Sequence, residues 1–368
     1  MKICLVINNF NYYGGSQVIV NLAKAFLSEG HEVDIIAIRS TKVDLTSRPK
    51  TQAKVTDLLA ANFFKGVIEL GREIRREDYD ICYSVGLYAN LVAGLTGTLR
   101  SYTTKFIGSE HFATSPLLSN FAKPYFRLIL PLIKIAYRRL NGLIFVSVAL
   151  KEAFIENNGF NPSRCVSIYN PLPDNSRYKR KTKPSNKKVI LGLGILEERK
   201  RWDLLIEAFA LLNKELDCIL LIGGTGSLEK SLHDLTENLK LKKKVKFLGY
   251  VAEPQNFLVQ SDVLALTSDS EAFGMVLAEA MSVGTQVVST DVFSGPKEVL
   301  GYGKYGFLAK KGDVTSIVSA LRQACIHPKE KKLLAEAVQR FEPGAIAQQY
   351  IDFFEIICES GGTIIDEI

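Results

Sequence analysis

The sequence lacks paired cysteines. Cys4, Cys82, Cys165, Cys218, Cys325 and Cys358 are scattered through 368 residues with no repeating interval. That pattern argues against a disulfide framework or a zinc site and for a reducing compartment, so a cytoplasmic location is expected. Long apolar runs are missing too. The nearest, Phe126 to Tyr137, is interrupted by Arg127, Pro131 and Lys134 and falls short of the ~20 residues a membrane span requires. The opening Met-Lys-Ile-Cys-Leu-Val-Ile-Asn-Asn-Phe has no long apolar core and no small-residue cleavage site, so it reads as a buried first strand and not as an export signal. A full dinucleotide fingerprint is also lacking. Gly14-Gly15 follows that strand without a third glycine at the required interval and without an acid ending strand two, which argues against a dehydrogenase.

The chain is long enough for two hydrophobic cores. Short apolar runs recur between helical patterns: Ile3 to Ile7, Val33 to Ile38, Ile81 to Val85, Lys105 to Gly108 and Leu143 to Val146, then Val189 to Leu193, Ile219 to Gly223, Val245 to Leu248, Val263 to Thr267 and Gln286 to Ser289. Strands alternating with helices predict parallel sheets, hence an α/β fold. Between Pro171 and Lys188 the composition turns polar, basic and proline-punctuated, as in a linker. Two doubly wound, Rossmann-like domains are therefore expected over residues 1–172 and 189–340, joined by a linker at 173–188. Ligands of such domains sit beyond the carboxyl ends of the strands, which places the expected site in the cleft where the two domains face each other.

Charge is uneven. Residues 1–180 hold 23 Lys and Arg against 14 Asp and Glu, whereas 181–368 hold 23 against 25, so the whole excess of +7 is N-terminal. In the segment 123–139, Lys123, Arg127, Lys134, Arg138 and Arg139 interleave with Phe, Tyr, Leu and Ile. This is either a helix packed on its own domain with a solvated cationic face, or a contact for anionic lipid or a lipid-linked acceptor.

The most informative stretch is Ser268-Asp-Ser-Glu-Ala-Phe-Gly-Met-Val-Leu-Ala-Glu279, where an apolar strand turns into a small-residue helix. With that helix opening near Gly274 or Met275, Glu279 lies about one turn inside, roughly 6–8 Å along the axis from Glu271. The free amides of Phe273, Gly274, Met275 and Val276 and the helix dipole favour a phosphate between them, and each carboxylate can accept hydroxyl hydrogen bonds. A sugar at each end of a diphosphate fits that spacing. The plain alternative makes Glu271 an N-terminal helix charge and Glu279 a solvated residue, yet Leu277, Ala278, Ala280 and Met281 surround Glu279, and a carboxylate among apolar groups needs a partner.

This stretch, with Gly284-Thr-Gln-Val-Val-Ser-Thr-Asp291 and Ser294-Gly-Pro-Lys-Glu-Val-Leu300 after it, resembles the family-4 retaining glycosyltransferases of GT-B fold. The resemblance covers almost the whole chain and is densest from Leu191 to Leu300. It implies that Glu271 holds donor-sugar hydroxyls, Glu279 the ribose, and His111, in Gly-Ser-Glu110-His111-Phe, the donor sugar. Gly15 would border the donor and acceptor sites. Gly224 and Gly226, in Gly223-Gly-Thr-Gly-Ser, would line the nucleotide, and Tyr250 belongs to the segment that reads the base or packs beside it. The family carries an arginine directly after the glycine at 194 and a lysine five positions on, neutralising the leaving diphosphate. Here Lys200 is present but the arginine position is Ile195, which leaves Arg199 as a substitute.

The resemblance further implies metal-independent transfer without a cofactor, from a nucleotide sugar, UDP by preference, to a lipid-linked saccharide in bacterial surface polysaccharide synthesis. It also implies no nucleic-acid partner, a peripheral position at the inner face of the cell membrane, and a final helix in 341–368 that crosses back to the N-terminal domain. A sugar-nucleotide epimerase or phosphorylase of the same fold and a non-catalytic basic binding protein are the competing readings. A lysine-bound cofactor signature, which the phosphorylase would need, is not visible.

Overall fold

In a parallel sheet covered by helices both faces of each strand are buried, so the strands read as continuous apolar runs. The computed structural model describes residues 1–10, 14–39, 49–99, 102–111, 124–175, 177–178 and 187–359. The chain divides into two units, Met1–Pro171 with the chain from Glu342 onward, and Leu172–Phe341.

The first unit runs β1 (Lys2–Ile7), α1 (Gly14–Ser28), β2 (Glu32–Ala37), β3 (Lys54–Asp57), α2 (Phe63–Glu77), β4 (Ile81–Val85), α3 (Leu87–Leu99), β5 (Lys105–Glu110), α4 (Pro124–Arg138), β6 (Gly142–Phe145), α5 (Val148–Asn158) and β7 (Cys165–Ser167). Its parallel sheet has the order β3-β2-β1-β4-β5-β6-β7, so the direction of winding reverses between β1 and β4. Local chemistry sets the helix ends. The Asn62 side chain accepts from the Lys65 amide at 2.9 Å at the start of α2, and Gly159, at φ +61°, closes α5. Helices α3 and α4 touch at Gly94, where a Cβ would lie 2.2 Å from the Ala136 carbonyl oxygen.

The last helix, α13 (Pro343–Glu359), belongs to this same unit. Ile346, Tyr350, Phe354 and Ile357 are buried in the core that α1 also fills, and Phe26 meets Tyr350 edge-on at 5.8 Å.

The second unit runs β8 (Lys188–Leu193), α6 (Trp202–Leu212), β9 (Cys218–Gly223), α7 (Glu229–Asn238), β10 (Val245–Gly249), α8 (Pro254–Leu258), β11 (Val263–Leu266), α9 (Met275–Ser282), β12 (Gln286–Asp291), α10 (Pro296–Val299), β13 (Phe307–Lys310), α11 (Val314–Ile326) and α12 (Lys331–Gln339). The sheet order is β10-β9-β8-β11-β12-β13, with the reversal between β8 and β11. Both units are doubly wound. Three strands, β3, β7 and β13, were not among the apolar runs read from the sequence, and all three are sheet edges whose exposed side admits Lys54, Ser167 and Lys310.

Candidate functional site

Trp202 positions the first loop of the second unit. Its ring is buried under Gly192, where a Cβ would lie 2.4 Å from Cζ3, and its Nε1 donates to the Ile195 carbonyl at 2.9 Å. Gly194 bends at φ +151° and leaves room for Lys200, whose Nζ would lie 3.6 Å from a Cβ there. After the single turn Glu198–Lys200, the loop is stapled to the one that follows β11. The Asp269 amide donates to the Arg199 carbonyl at 2.7 Å, and the Thr267 hydroxyl reaches the carbonyls of Lys200 at 3.2 Å and Arg201 at 3.0 Å.

These staples bring together side chains 71 residues apart. Lys200 Nζ lies 2.5 Å from Glu271 Oε1, with both side chains nearly buried. The same oxygen accepts from Ser268 Oγ at 2.7 Å and has Arg199 Nη1 at 3.7 Å. Ser294 Oγ donates to the Glu271 backbone carbonyl. Among the described residues Oε2 of Glu271 takes no hydrogen bond, so one carboxylate oxygen is gripped and the other is available. Ser268 and Ser294 open the two sequence stretches described above, but the sequence assigns neither a role; the position of Ser268, three before Glu271 in a strand-to-helix turn, is the signal available.

Gly274, at φ +86°, starts α9 without a side-chain cap, so its first-turn amides are not satisfied by a neighbouring hydroxyl or carboxylate. Phe273 is buried against Phe341, ring centroids 5.5 Å apart, so its ring anchors the loop. Met275 and Val276 are half-buried in the first turn.

Glu279, inside α9, is half-buried, and its carboxylate has no partner among the described residues. Burial pushes its pKa up to about 7. A carboxyl with a folded pKa above its unfolded value holds its proton longer when folded, so stability is lost as pH rises from about 4.5 to about 7. Glu279→Gln is therefore expected to raise stability at pH 8 by on the order of 1–2 kcal/mol after discounting for residual solvent, and the melting point with it, and to leave both unchanged at pH 4. Melting curves of both proteins at the two pH values check this.

The loop after β9 closes against the one after β8. Gly224, at φ +146°, would place a Cβ 1.8 Å from the Gly194 carbonyl oxygen, and Gly226 would place one 2.4 Å from the Leu196 carbonyl oxygen. Both glycines are required by backbone approach. Tyr250, directly after Gly249 at φ +65°, is 56% exposed and so is not a core residue.

In the first unit, Gly15 lies in the first turn of α1, where a Cβ would meet the Ile7 Cδ1 atom at 4.0 Å. Gly15 and His111 follow β1 and β5, at the same end of that sheet. The His111 Nε2 atom is buried and unpartnered among the described residues, and burial pushes its pKa down to about 4, so the ring is neutral at pH 7. Glu110 is fully buried and accepts hydrogen bonds from the Tyr137 hydroxyl and, at 3.5 Å, from Asn90 Nδ2, which ties the end of β5 to α3 and α4. Tyr137 and Asn90 carried no signal in the sequence.

Of the basic segment 123–139, Lys123 and the side chain of Arg127 lie outside the described residues. The described part of α4 leaves Leu132, Ile135 and Arg138 exposed, and Arg139, which follows the helix, is exposed too. No described helix is long and apolar enough to cross a membrane. No group of three or more His, Cys, Asp or Glu side chains that could hold a metal occurs among the described residues.

Residues 12–175 match the family model described as Glycosyltransferase Family 4, and 174–341 match that described as Glycosyl transferases group 1. A Campylobacter jejuni N-acetylgalactosamine-N,N'-diacetylbacillosaminyl-diphospho-undecaprenol 4-alpha-N-acetylgalactosaminyltransferase is 30% identical over 193 residues, a match spanning 52% of this chain and only about half, 52%, of that relative. An O-antigen biosynthesis glycosyltransferase of Escherichia coli is 25% identical over 310 residues, 79% of this chain and 80% of that one. Among solved structures, Anabaena HepE in complex with UDP-glucose superposes with a TM-score of 0.79 at 22% identity, covering 97% of this chain and all of that one.

Proposed function

Since the chain belongs to the family-4 glycosyltransferases of GT-B fold, with a family-4 domain followed by a group-1 domain, we propose that it moves a hexose or N-acetylhexosamine from a UDP sugar to a lipid-linked saccharide in bacterial surface polysaccharide synthesis, with retention of configuration and without a metal ion. The observation that carries this reading is the Lys200–Glu271 pair, held by backbone staples at the switch point of the second sheet beside the uncapped start of α9.

The diphosphate would sit on the amides at the start of α9, where the helix dipole adds to the two cations. Lys200 would share its charge between Glu271 and the leaving phosphate. Ile195 supplies no cation, and Arg199, 40% exposed and 3.7 Å from Glu271, can turn to do so. Glu271 would hold donor-sugar hydroxyls through Oε2, which makes it a positioning group and not a base. Glu279 would accept from the ribose hydroxyls, which favours its ionised form and releases a proton on binding near pH 7. Neutral His111 can accept a sugar hydroxyl at Nε2. The acceptor hydroxyl would pass its proton to the leaving phosphate on the same face of the sugar, so no carboxylate base is required. The basic segment 123–139 would rest on the anionic inner face of the cell membrane, where a lipid-linked acceptor resides.

Titration with UDP, GDP and ADP sugars, followed by melting temperature and calorimetry with and without EDTA, tests the reading. Stabilisation by UDP sugars with no effect of chelator is expected; silence across the panel would favour the basic binding protein. Sugar-nucleotide turnover without any acceptor would favour the epimerase.

A further inference from the structure

The switch point of the first sheet holds polar side chains that the proposed mechanism leaves unused. Strands β2, β1 and β4 are neighbours in that order, and Arg39, Asn8 and Tyr88 follow their carboxyl ends. Ligands of doubly wound sheets sit at such a place. Backbone contacts hold two of the strand ends together. The Arg39 amide donates to the Asn8 carbonyl at 2.8 Å, and Asn9, with its amide nitrogen turned inward, donates to the carbonyls of Asn8 at 3.1 Å and of Arg39.

The Arg39 side chain lies over the Tyr88 ring, with Cζ 5.6 Å from its centroid. Strand β1 lies between the strands that carry the two residues, so this contact spans the end of β1, where Asn8 stands. Phe63 meets the same ring edge-on at 5.8 Å. Tyr88 also lies in the first turn of α3, whose dipole favours negative charge.

Each of the three residues has unused bonding capacity. Arg39 is exposed and makes no ion pair with a described carboxylate, Asp57 at the end of β3 included. The Tyr88 hydroxyl and Asn8 Oδ1 are both buried without a hydrogen-bond partner among the described residues. A buried polar atom left unpaired opposes folding, and two of them beside an unpaired cation suit a ligand that brings both a donor and an anion. Asn8 Oδ1 can only accept, which fits a hydroxyl. A planar guanidinium and a phenol donor fit phosphate. A sugar joined to a phosphate carries both groups.

We propose that Asn8, Arg39 and Tyr88 form a subsite for the phosphate next to the acceptor sugar. Arg39, with no ion pair to break, turns from the ring onto the phosphate; the Tyr88 hydroxyl donates to a phosphate oxygen, and Asn8 Oδ1 accepts from a hydroxyl of the adjoining sugar. This deepens the reading above and rests on it, since a saccharide linked to lipid through a diphosphate presents that pair of groups.

Calorimetry on the full chain saturated with UDP tests it, with N-acetylglucosamine 1-phosphate, decyl diphospho-N-acetylglucosamine and decyl N-acetylglucosaminide as probes. The two phosphorylated probes are expected to bind at least about tenfold more tightly than the plain glycoside. Arg39→Gln is expected to erase most of that difference and Tyr88→Phe to reduce it about threefold to tenfold, with UDP affinity unchanged in both. Melting curves separate this from a structural role. Tyr88→Phe removes a buried hydroxyl that has no partner in the free protein, so its melting point is expected to hold or rise, and a clear fall would overturn the assignment. Equal affinity for all three probes, or binding of none, would also overturn it while UDP-sugar binding keeps the donor reading intact. A wild type that binds neither UDP nor any probe removes both. Tighter binding of the decyl diphosphate than of the 1-phosphate assigns the subsite to a lipid-linked acceptor; the reverse order would overturn that source in favour of a soluble sugar phosphate.

Discussion

Glu271→Gln is expected to lower sugar transfer by about a hundredfold or more while UDP still binds. Oε1 of Glu271 receives Lys200 Nζ at 2.5 Å and Ser268 Oγ at 2.7 Å, so a glutamine can accept the same two donors only by turning its amide NH2 to the sugar side. The donor sugar then meets a donor group in place of an ionised acceptor, and Lys200, nearly buried, loses its counter-charge. The second effect raises the attraction of Lys200 for a diphosphate, so UDP affinity is expected to hold or to rise. Lys200→Ala should do the reverse, weakening UDP and UDP-sugar binding roughly tenfold to a hundredfold, the worth of a charge-assisted contact to phosphate. Removal of one partner of a nearly buried pair also costs stability, on the order of 1–3 kcal/mol here, because the survivor is uncompensated. Calorimetry with UDP, transfer assays and melting curves on the two variants separate the roles. Loss of UDP binding together with a collapsed melting point in Glu271→Gln would make the pair a structural brace and not a donor site.

Gly224→Ala is expected to be the most damaging single methyl group in the second unit. Its Cβ would lie 1.8 Å from the Gly194 carbonyl oxygen, and the atoms it would meet all belong to the Gly194 backbone, with no flexible side chain to give way. The φ of +146° adds strain of its own. The loop after β8 must move, and with it the turn that carries Lys200. A loss of about 3 kcal/mol or more is expected, lowering the melting point by roughly 6–12 °C for a unit of this size, with UDP binding abolished. Gly284→Ala is the control. Gly284 also has positive φ, at +78°, but nothing lies within 4 Å of its Cβ, so strain alone remains, worth about 1–2 kcal/mol. Equal melting points for the two variants would refute the close approach as the reason for Gly224.

How far the sequence could be read follows from how each residue is held. The inner strands were legible because a strand covered on both faces must be apolar throughout, as in Ile-Cys-Leu-Val-Ile of β1 and Val-Ile-Leu-Gly-Leu of β8. Edge strands β3, β7 and β13 were not, because one side is open to water and their composition matches a loop. The start of α9 was legible to within a residue, since a glycine at positive φ before a small-residue run marks a helix end locally.

By itself, then, the sequence determined the α/β class, the two sheets and the uneven charge, and it placed Lys200 and Glu271 in loops that follow strands and Glu279 inside a helix, all matters of local period and composition. Tertiary structure alone decided that Lys200 and Glu271 meet. Their strands β8 and β11 are neighbours only because β9 and β10 wind off to the other side, and nothing within either segment encodes that order. It likewise decided that α13 completes the first core and that Gly224 must be glycine. Each depends on a surface contributed by a distant part of the chain, and the close approach of two backbones leaves no periodic trace in either one.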